Sequence, residues 1–105
     1  MATELSRGVE FSCHQSESCV ARALDEWSAT GGRRLLERDL AAGTWRCATS
    51  SGLLSWGEVI TLVLRGAPDG CSVRVEVVGR ARGNPAQRLR NAALIRDLRA
   101  ALTRA

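Results

Sequence analysis

The sequence predicts an α+β fold, a two-layer sandwich in which one antiparallel sheet carries two helices on one face. Three observations predict it. Residues 55–65 and 71–78 alternate apolar and polar positions, as half-buried strands do. The five residues between them, 66–70, include glycine, proline and aspartate, which suit a hairpin turn. Apolar residues at helical spacing occur once before and once after this hairpin. The predicted element order is β-α-β-β-β-β-α.

The chain is expected to begin with a short strand and a helix. The strand covers residues 9–13 and follows a polar leader, residues 1–7, which is expected to fray. Ser16 or Ser18 can cap a helix that runs to about residue 29 and stops at a Gly-Gly pair. Its apolar stripe consists of Val20, Ala23, Leu24 and Trp27.

Two further strands and a second helix complete the pattern. Residues 33–40 resemble a strand, although their LLERDL segment could also be helical, and residues 44–49 alternate as a third strand. Residues 79–83 are irregular, and Asn84 and Pro85 form a cap and first turn for the last helix. One face of that helix carries Leu94, Ile95, Leu98, Ala101 and Leu102.

Length and charge limit what the protein can be. A chain of 105 residues predicts one domain, spanning 1–105, with one core and room for a modest site. The net charge of +4 is uneven: residues 1–78 carry eight Arg and ten acidic groups, whereas residues 79–105 carry seven Arg and one Asp. This basic quarter could bind an anionic partner, but the outward face of an Arg-rich helix is more often simply exposed to solvent.

The thiols and the hydropathy bear on compartment. No signal peptide or transmembrane stretch is recognisable, which predicts a cytoplasmic protein with reduced cysteines and no membrane partner.

Cys13 beside His14 suggests a nucleophile, and a zinc site could combine Cys13 and Cys19 with Cys47 and Cys71. The spacing lacks the close pairs of zinc sites, and neighbours on a strand point to opposite faces. We therefore expect core thiols and no metal.

The strand pattern leaves an apolar surface on the side of the sheet away from the helices. Val59, Thr61, Val63 and Val78 fall on this side. An apolar patch of several hundred Å² would be unusual for a monomer. We therefore predict a homodimer through the open sheet face.

The C-terminal half resembles a group of small bacterial domains of unknown function. The likeness consists of WGEVITLVL at 56–64, SVRVEVVGRARG at 72–83, Asn84, and a final helix ending DLRAAL at 97–102. The group's Asp-x-Gly before the asparagine is replaced here by Ala-Arg-Gly. The chain also looks like a reduced helix-grip domain, in which apolar ligands lie between a curved sheet and a C-terminal helix. The resemblance implies a fold and leaves the function open.

The loop at residues 79–85 is the predicted ligand site. Arg80 and Arg82 offer forked donors for a phosphate or carboxylate, and Gly83 and Asn84 lead to the N-terminus of the last helix. Trp56 could add a stacking surface. The alternative is a plain connection with solvated arginines, since the spacing matches neither a P-loop nor a dinucleotide motif.

These patterns together predict a non-enzymatic binding or protein-interaction module without a cofactor. No carboxylate pair or oriented histidine suggests acid–base catalysis. The main alternative is a small-molecule or anion binder that uses the 79–85 loop. Nucleic-acid binding through the basic C-terminal quarter is a third hypothesis, which no recognised motif supports.

Of the other aromatic residues, Trp27 is expected in the core, and Trp45 could lie in the core or line a cleft.

Overall fold

The computed structural model describes residues 7–49, 57–79 and 86–104. These residues form one five-stranded antiparallel sheet and two helices, which confirms the predicted fold class and element order. The elements are β1 (Arg7–Cys13), α1 (Glu17–Ser28), β2 (Arg33–Asp39), β3 (Thr44–Thr49), β4 (Glu58–Ala67), β5 (Gly70–Gly79) and α2 (Ala86–Arg104). The strand order is β1-β5-β4-β3-β2, so the first strand lies beside the last.

The ambiguous segment after α1 is a strand. β2 pairs with β3 from Arg33 opposite Thr49 to Asp39 opposite Thr44, with a bulge between Leu35 and Glu37. β2 is an edge strand, and a bulge at an edge twists it away from further pairing. Tertiary pairing with β3 therefore decides a segment whose local pattern also allowed a helix.

The β4–β5 hairpin is tighter than predicted. β4 continues to Ala67 and β5 begins at Gly70, so the turn consists of Pro68 and Asp69 rather than five residues. Gly70 has a φ of +140°, and a Cβ atom there would collide with the carbonyl oxygen of Cys13 in β1. The glycine thus permits a close approach of two backbones, and the sheet extends through residues that locally favour a turn.

The two helices cover one face of the sheet. The core contains Ile60 and Leu62 from β4, Val73 and Val75 from β5, and matching residues of β1 and β3, packed against both helices. α1 is capped by Ser16, whose hydroxyl accepts from the Cys19 N–H at 3.3 Å. α2 contributes residues such as Leu98, which is fully buried. Strand alternation places this apolar set on one side.

Among the described residues, both helices lie on one face of the sheet and no element covers the opposite face. Val59 lies directly opposite Val78, and Val78 is 38% exposed. Further along β4 on the same face, Thr61 lies opposite Glu76 and Val63 lies opposite Arg74, which in turn lies opposite Glu10 of β1. The valines are therefore on the predicted face but are interleaved with charged cross-strand neighbours. The homodimer through this face stays a prediction.

Candidate ligand-binding cleft between the helices

The residues proposed from sequence as a ligand site lie outside the described part of the chain. They are Trp56, Arg80, Arg82, Gly83 and Asn84. The site at the 79–85 loop therefore stays a prediction.

A buried carboxylate lies at the sheet end that adjoins this loop. Glu58, the first residue of β4 and the cross-strand neighbour of Gly79, is 1% exposed and faces the helices. The Thr49 hydroxyl donates to its Oε1 atom, and the Glu58 N–H donates to Thr49 Oγ1 at 2.9 Å. The alternation of residues 55–65 puts Glu58 on the side opposite to Val59, but nothing in the sequence assigned Glu58 to a site.

The structure contains a cleft that sequence reasoning missed, between α1 and α2. Its volume is about 550 Å³, within the usual range of small-molecule sites, about 300–1,000 Å³. Trp27 and Ala23 of α1 face Asp97 and Ala101 of α2 across it, and Arg33 at the start of β2 lines its inner wall. The cleft thus combines apolar walls with several polar groups.

Arg33 is the most constrained charged group of the cleft. Its side chain is only 8% exposed. The guanidinium lies 3.8 Å from the centroid of the Trp27 ring, and its Nε donates to the Trp27 carbonyl at 2.7 Å. Burial lowers the pKa of Arg33 from its ordinary value, and the carboxylate of Asp97 opposes this shift. Arginine keeps its charge under such a shift, so the cleft has a fixed positive charge at its inner wall.

Asp97 joins α2 to this arrangement. Its Oδ2 atom accepts from the Trp27 indole Nε1 at 2.8 Å and lies 3.6 Å from Arg33 Nη1. The Asp97 side chain is 57% exposed, so solvent weakens the ion pair.

Gly31 completes the wall of the cleft beside Arg33. It has a φ of +64°, and a Cβ atom there would lie 2.7 Å from Arg33 Nη2. A larger residue at Gly31 would displace the guanidinium.

Three further charged residues border the cleft. Arg22 and Glu26 of α1 and Arg104 of α2 line it and are exposed. With Arg33 and Asp97 they give three positive and two negative groups, a surplus of one positive charge. Arg104 belongs to the basic C-terminal quarter, so part of that charge lies beside the cleft. A small anion is the ligand that this charge balance favours.

Trp45, which the sequence left between the core and a cleft, lies in the core. Trp27 and Trp45 are both buried, and the Trp45 indole donates to Asp25 Oδ1 at 3.3 Å. Both carboxylate oxygens of Asp25 also accept from Arg38 Nη1, at 2.8 and 3.0 Å. The hydrogen bonds from Arg38, and to a smaller extent the one from Trp45, lower the pKa of Asp25, whereas burial opposes this shift. Trp45 therefore fills the core and has the partner that its N–H requires.

The four cysteines are free thiols and do not assemble as one metal site. Cys13, Cys47 and Cys71 are buried and Cys19 is partly buried. Within residues 7–49, 57–79 and 86–104, no group of three or more His, Cys, Asp or Glu side chains is placed to hold a metal ion. His14 is exposed while Cys13 points into the core, as expected for neighbours at the end of a strand.

Comparison with known proteins gives the fold alone. No protein-family model and no curated protein sequence matches the chain. Among solved structures, protein MLL2253 from Mesorhizobium loti is similar with a TM-score of 0.64 at 16% identity, covering 95% of this chain and 98% of that one. Ara h 8.0201 is similar with a TM-score of 0.67 at 10% identity and the same coverage of both chains.

A third solved structure, an uncharacterised protein from Rhizobium leguminosarum, has a TM-score of 0.53 at 16% identity, covering 95% of each chain. The class these comparisons define is a small α+β domain with one antiparallel sheet and helices on one face. The resemblance to small bacterial domains of unknown function holds at this level of fold. In the described part of the chain, neither helix is long and apolar enough to span a membrane.

Proposed function

We propose that this domain is a non-enzymatic binding module for a small anionic molecule with an apolar body, held in the cleft between α1 and α2. The observation that supports this most directly is the nearly buried guanidinium of Arg33 at the wall of a cleft of about 550 Å³. Burying a charged group costs free energy unless an opposite charge compensates it. Asp97 is exposed and compensates the Arg33 charge only in part, so a ligand anion would add to this compensation.

The lining supports a ligand with two kinds of surface. Ala23 and Ala101 supply apolar walls on the two helices. Arg22 and Arg104 are exposed at the cleft, so their guanidinium groups are accessible to a carboxylate, sulfonate or phosphate. A compact ligand with one ring and one acidic group would satisfy both features.

The non-enzymatic part of the proposal is supported by how the cleft holds Asp97. The Asp97 Oδ2 atom accepts from the Trp27 indole and faces Arg33. An oxygen atom already engaged by these contacts is poorly placed to take a proton from a ligand. A cytoplasmic location, where thiols are reduced in the resting state, belongs to the same proposal.

Binding of an aromatic anion tests the proposal. We would titrate the domain with 1-anilinonaphthalene-8-sulfonate, following fluorescence, and with inorganic phosphate, following heat. The variant R22A/R104A removes two positive charges at the cleft, and R65A/R96A removes two exposed charges that do not line it. We expect saturable sulfonate binding, weakened at least about tenfold in the first variant, or about 1.4 kcal/mol, and unchanged in the second.

Three results would overturn the proposal. Equal weakening in both double variants would mean that only net charge matters. Absence of saturable binding in the folded wild-type domain would remove the ligand site. Phosphate binding as tight as sulfonate binding would mean that the apolar walls play no part, which would contradict the stated ligand class.

Homodimerisation through the open sheet face is a second candidate role. It is supported by the directly opposed pair Val59 and Val78 and by the 38% exposure of Val78. Sedimentation velocity over a dilution series should show a dimer that V59R dissociates. A wild-type sedimentation coefficient that stays monomeric at every concentration would reject it.

A further inference from the structure

Three of the four cysteines lie near one another where β1 and β5 meet. Cys13 at the end of β1 is directly opposite Cys71 in β5, and both side chains belong to the buried face. Cys19 on α1 is near enough to interact electrostatically with Cys71. Cys47, by contrast, lies on β3, which is separated from β5 by β4 in the sheet. The binding cleft proposed above involves neither Cys13 nor Cys71.

The Cys13 and Cys71 pair lies in a cross-strand register that a disulfide can span. Residues directly opposite in an antiparallel ladder have Cα atoms about 4.5 to 5.5 Å apart. Disulfides span Cα separations of about 4.4 to 6.8 Å. The two thiols are within hydrogen-bonding reach of each other, and Cys71 Sγ also lies 3.6 Å from the carbonyl oxygen of Gln15. A bond between the sulfurs therefore requires no change of register.

A second cleft gives reagents access to this pair. It has a volume of about 450 Å³ and lies between β1 and α2, with Cys13, Gln15 and Arg99 among its lining residues. Its walls are held in place, because Gln15 Nε2 donates to the Leu102 carbonyl at 2.8 Å and the Arg99 guanidinium lies 4.9 Å from the Phe11 ring centroid. A small molecule in this cleft would meet Cys13 before Cys71.

We propose that Cys13 and Cys71 form a site of reversible oxidation whose co-reactant is the disulfide of a small thiol. Cys13 Sγ attacks one sulfur of that disulfide, forms a mixed disulfide and releases the first small thiol, which takes the Cys13 proton. Cys71 Sγ then attacks Cys13 Sγ, forms the cross-strand disulfide and releases the second small thiol with the Cys71 proton. The two cysteines lose two electrons, and the small disulfide is reduced to two thiols.

The order of attack follows from position, and the protonation of Cys71 agrees with it. Cys13 is 8% exposed and borders the cleft, whereas Cys71 is 2% exposed and does not border it. Burial, with further effects of Cys13, Glu17 and Cys19, raises the pKa of Cys71 to about 11. Cys71 is therefore almost fully protonated at neutral pH, which slows its attack on a disulfide from solution. It acts in the second step, which is intramolecular and needs no access from solvent.

The experiment uses the full chain and a buffer of oxidised and reduced glutathione. After quenching with iodoacetamide, trypsin should release residues 8–22 linked to residues 66–74, because cleavage follows Arg7, Arg22, Arg65 and Arg74. The variant C19S is the matched control, since it leaves Cys13 as the only thiol of the first peptide. Closing so long a loop should raise the midpoint of thermal unfolding by about 10 °C or more, reversed by dithiothreitol.

Each outcome decides the proposal. The 8–22 to 66–74 link, formed in both wild type and C19S and within monomers, supports it. Loss of this link in C19S, or a wild-type product that joins Cys19, would assign the reactivity to another pair. Glutathione adducts without closure, disulfides between molecules, or four alkylated thiols under oxidising buffer would each overturn it. The wild-type map decides even where a cysteine variant fails to fold.

Discussion

Raising the pH above 9 should destabilise this domain through its buried thiols. The chain has no lysine and no tyrosine, so cysteine is the side chain that titrates between about pH 8 and 11. Burial raises the pKa of Cys47 from 9.0 to about 11, against the opposing effects of Arg33 and Ser28. Cys47 is fully buried on β3, which makes it the thiol best suited to a quantitative test.

The sign of the effect follows from which state loses its proton first. The unfolded chain releases the Cys47 proton near pH 9, and the folded chain holds it to about pH 11. The contribution of this thiol is therefore fully present below pH 9 and is lost as the pH rises through 11. For Cys47 alone, unfolding becomes easier by about 1 kcal/mol at pH 10 and about 2 kcal/mol at pH 11. Total stability is about 5 to 15 kcal/mol, so the change is measurable.

Urea unfolding in the presence of a reductant, followed by tryptophan fluorescence from pH 7 to 11, measures this effect. C47A is less stable than wild type at pH 7 because it leaves a small cavity. Its stability has no contribution from the titration of Cys47, so the gap between the two proteins should narrow by about 2 kcal/mol between pH 8 and 11. A gap that stays constant over this range would refute the assignment.

Two further predictions concern close contacts and hydrogen bonds. G70A should cost at least about 3 kcal/mol, because the new Cβ atom would collide with backbone of β1, whereas G32A, at a φ of +80° with open space around it, should cost about 1 kcal/mol. Equal losses in urea unfolding would contradict the close approach at Gly70. D97A should cost about 1 to 3 kcal/mol, because it leaves the buried Trp27 indole without its acceptor, whereas D97N keeps an acceptor and should cost less than about 1 kcal/mol. A D97N variant as unstable as D97A would show that charge, and not the hydrogen bond, matters there.

Much of the fold could be predicted because burial on a strand follows an alternation that is visible in the sequence. Val59 was placed on the open face of the sheet, and this alternation leaves Ile60 and Leu62 on the inward face, where they are fully buried. Leu24 and Trp27 were placed on the inward stripe of α1 and are buried. Each of these assignments depends on local periodicity alone.

The candidate site was harder to predict because its members come together only after folding. Trp27 and Asp97 are 70 residues apart in sequence and share a hydrogen bond of 2.8 Å. Arg33 follows a glycine pair in an edge strand, a position that on its own suggests a solvated side chain. Finding the site from the sequence would have required pairing Trp27 of α1 with Asp97, the single acidic residue of α2. No sequence pattern connects these two residues.

The sequence by itself determined the helices, the strands other than β2 and the faces that point inward, because these follow from side-chain spacing and from short-range backbone preferences. The tertiary structure alone decided that β1 lies beside β5, that the hairpin closes on Pro68 and Asp69, and that Arg33 is buried between Trp27 and Asp97. Such contacts depend on which distant segments pack together. Their energies come from burial and close packing across the whole chain, which local periodicity does not encode.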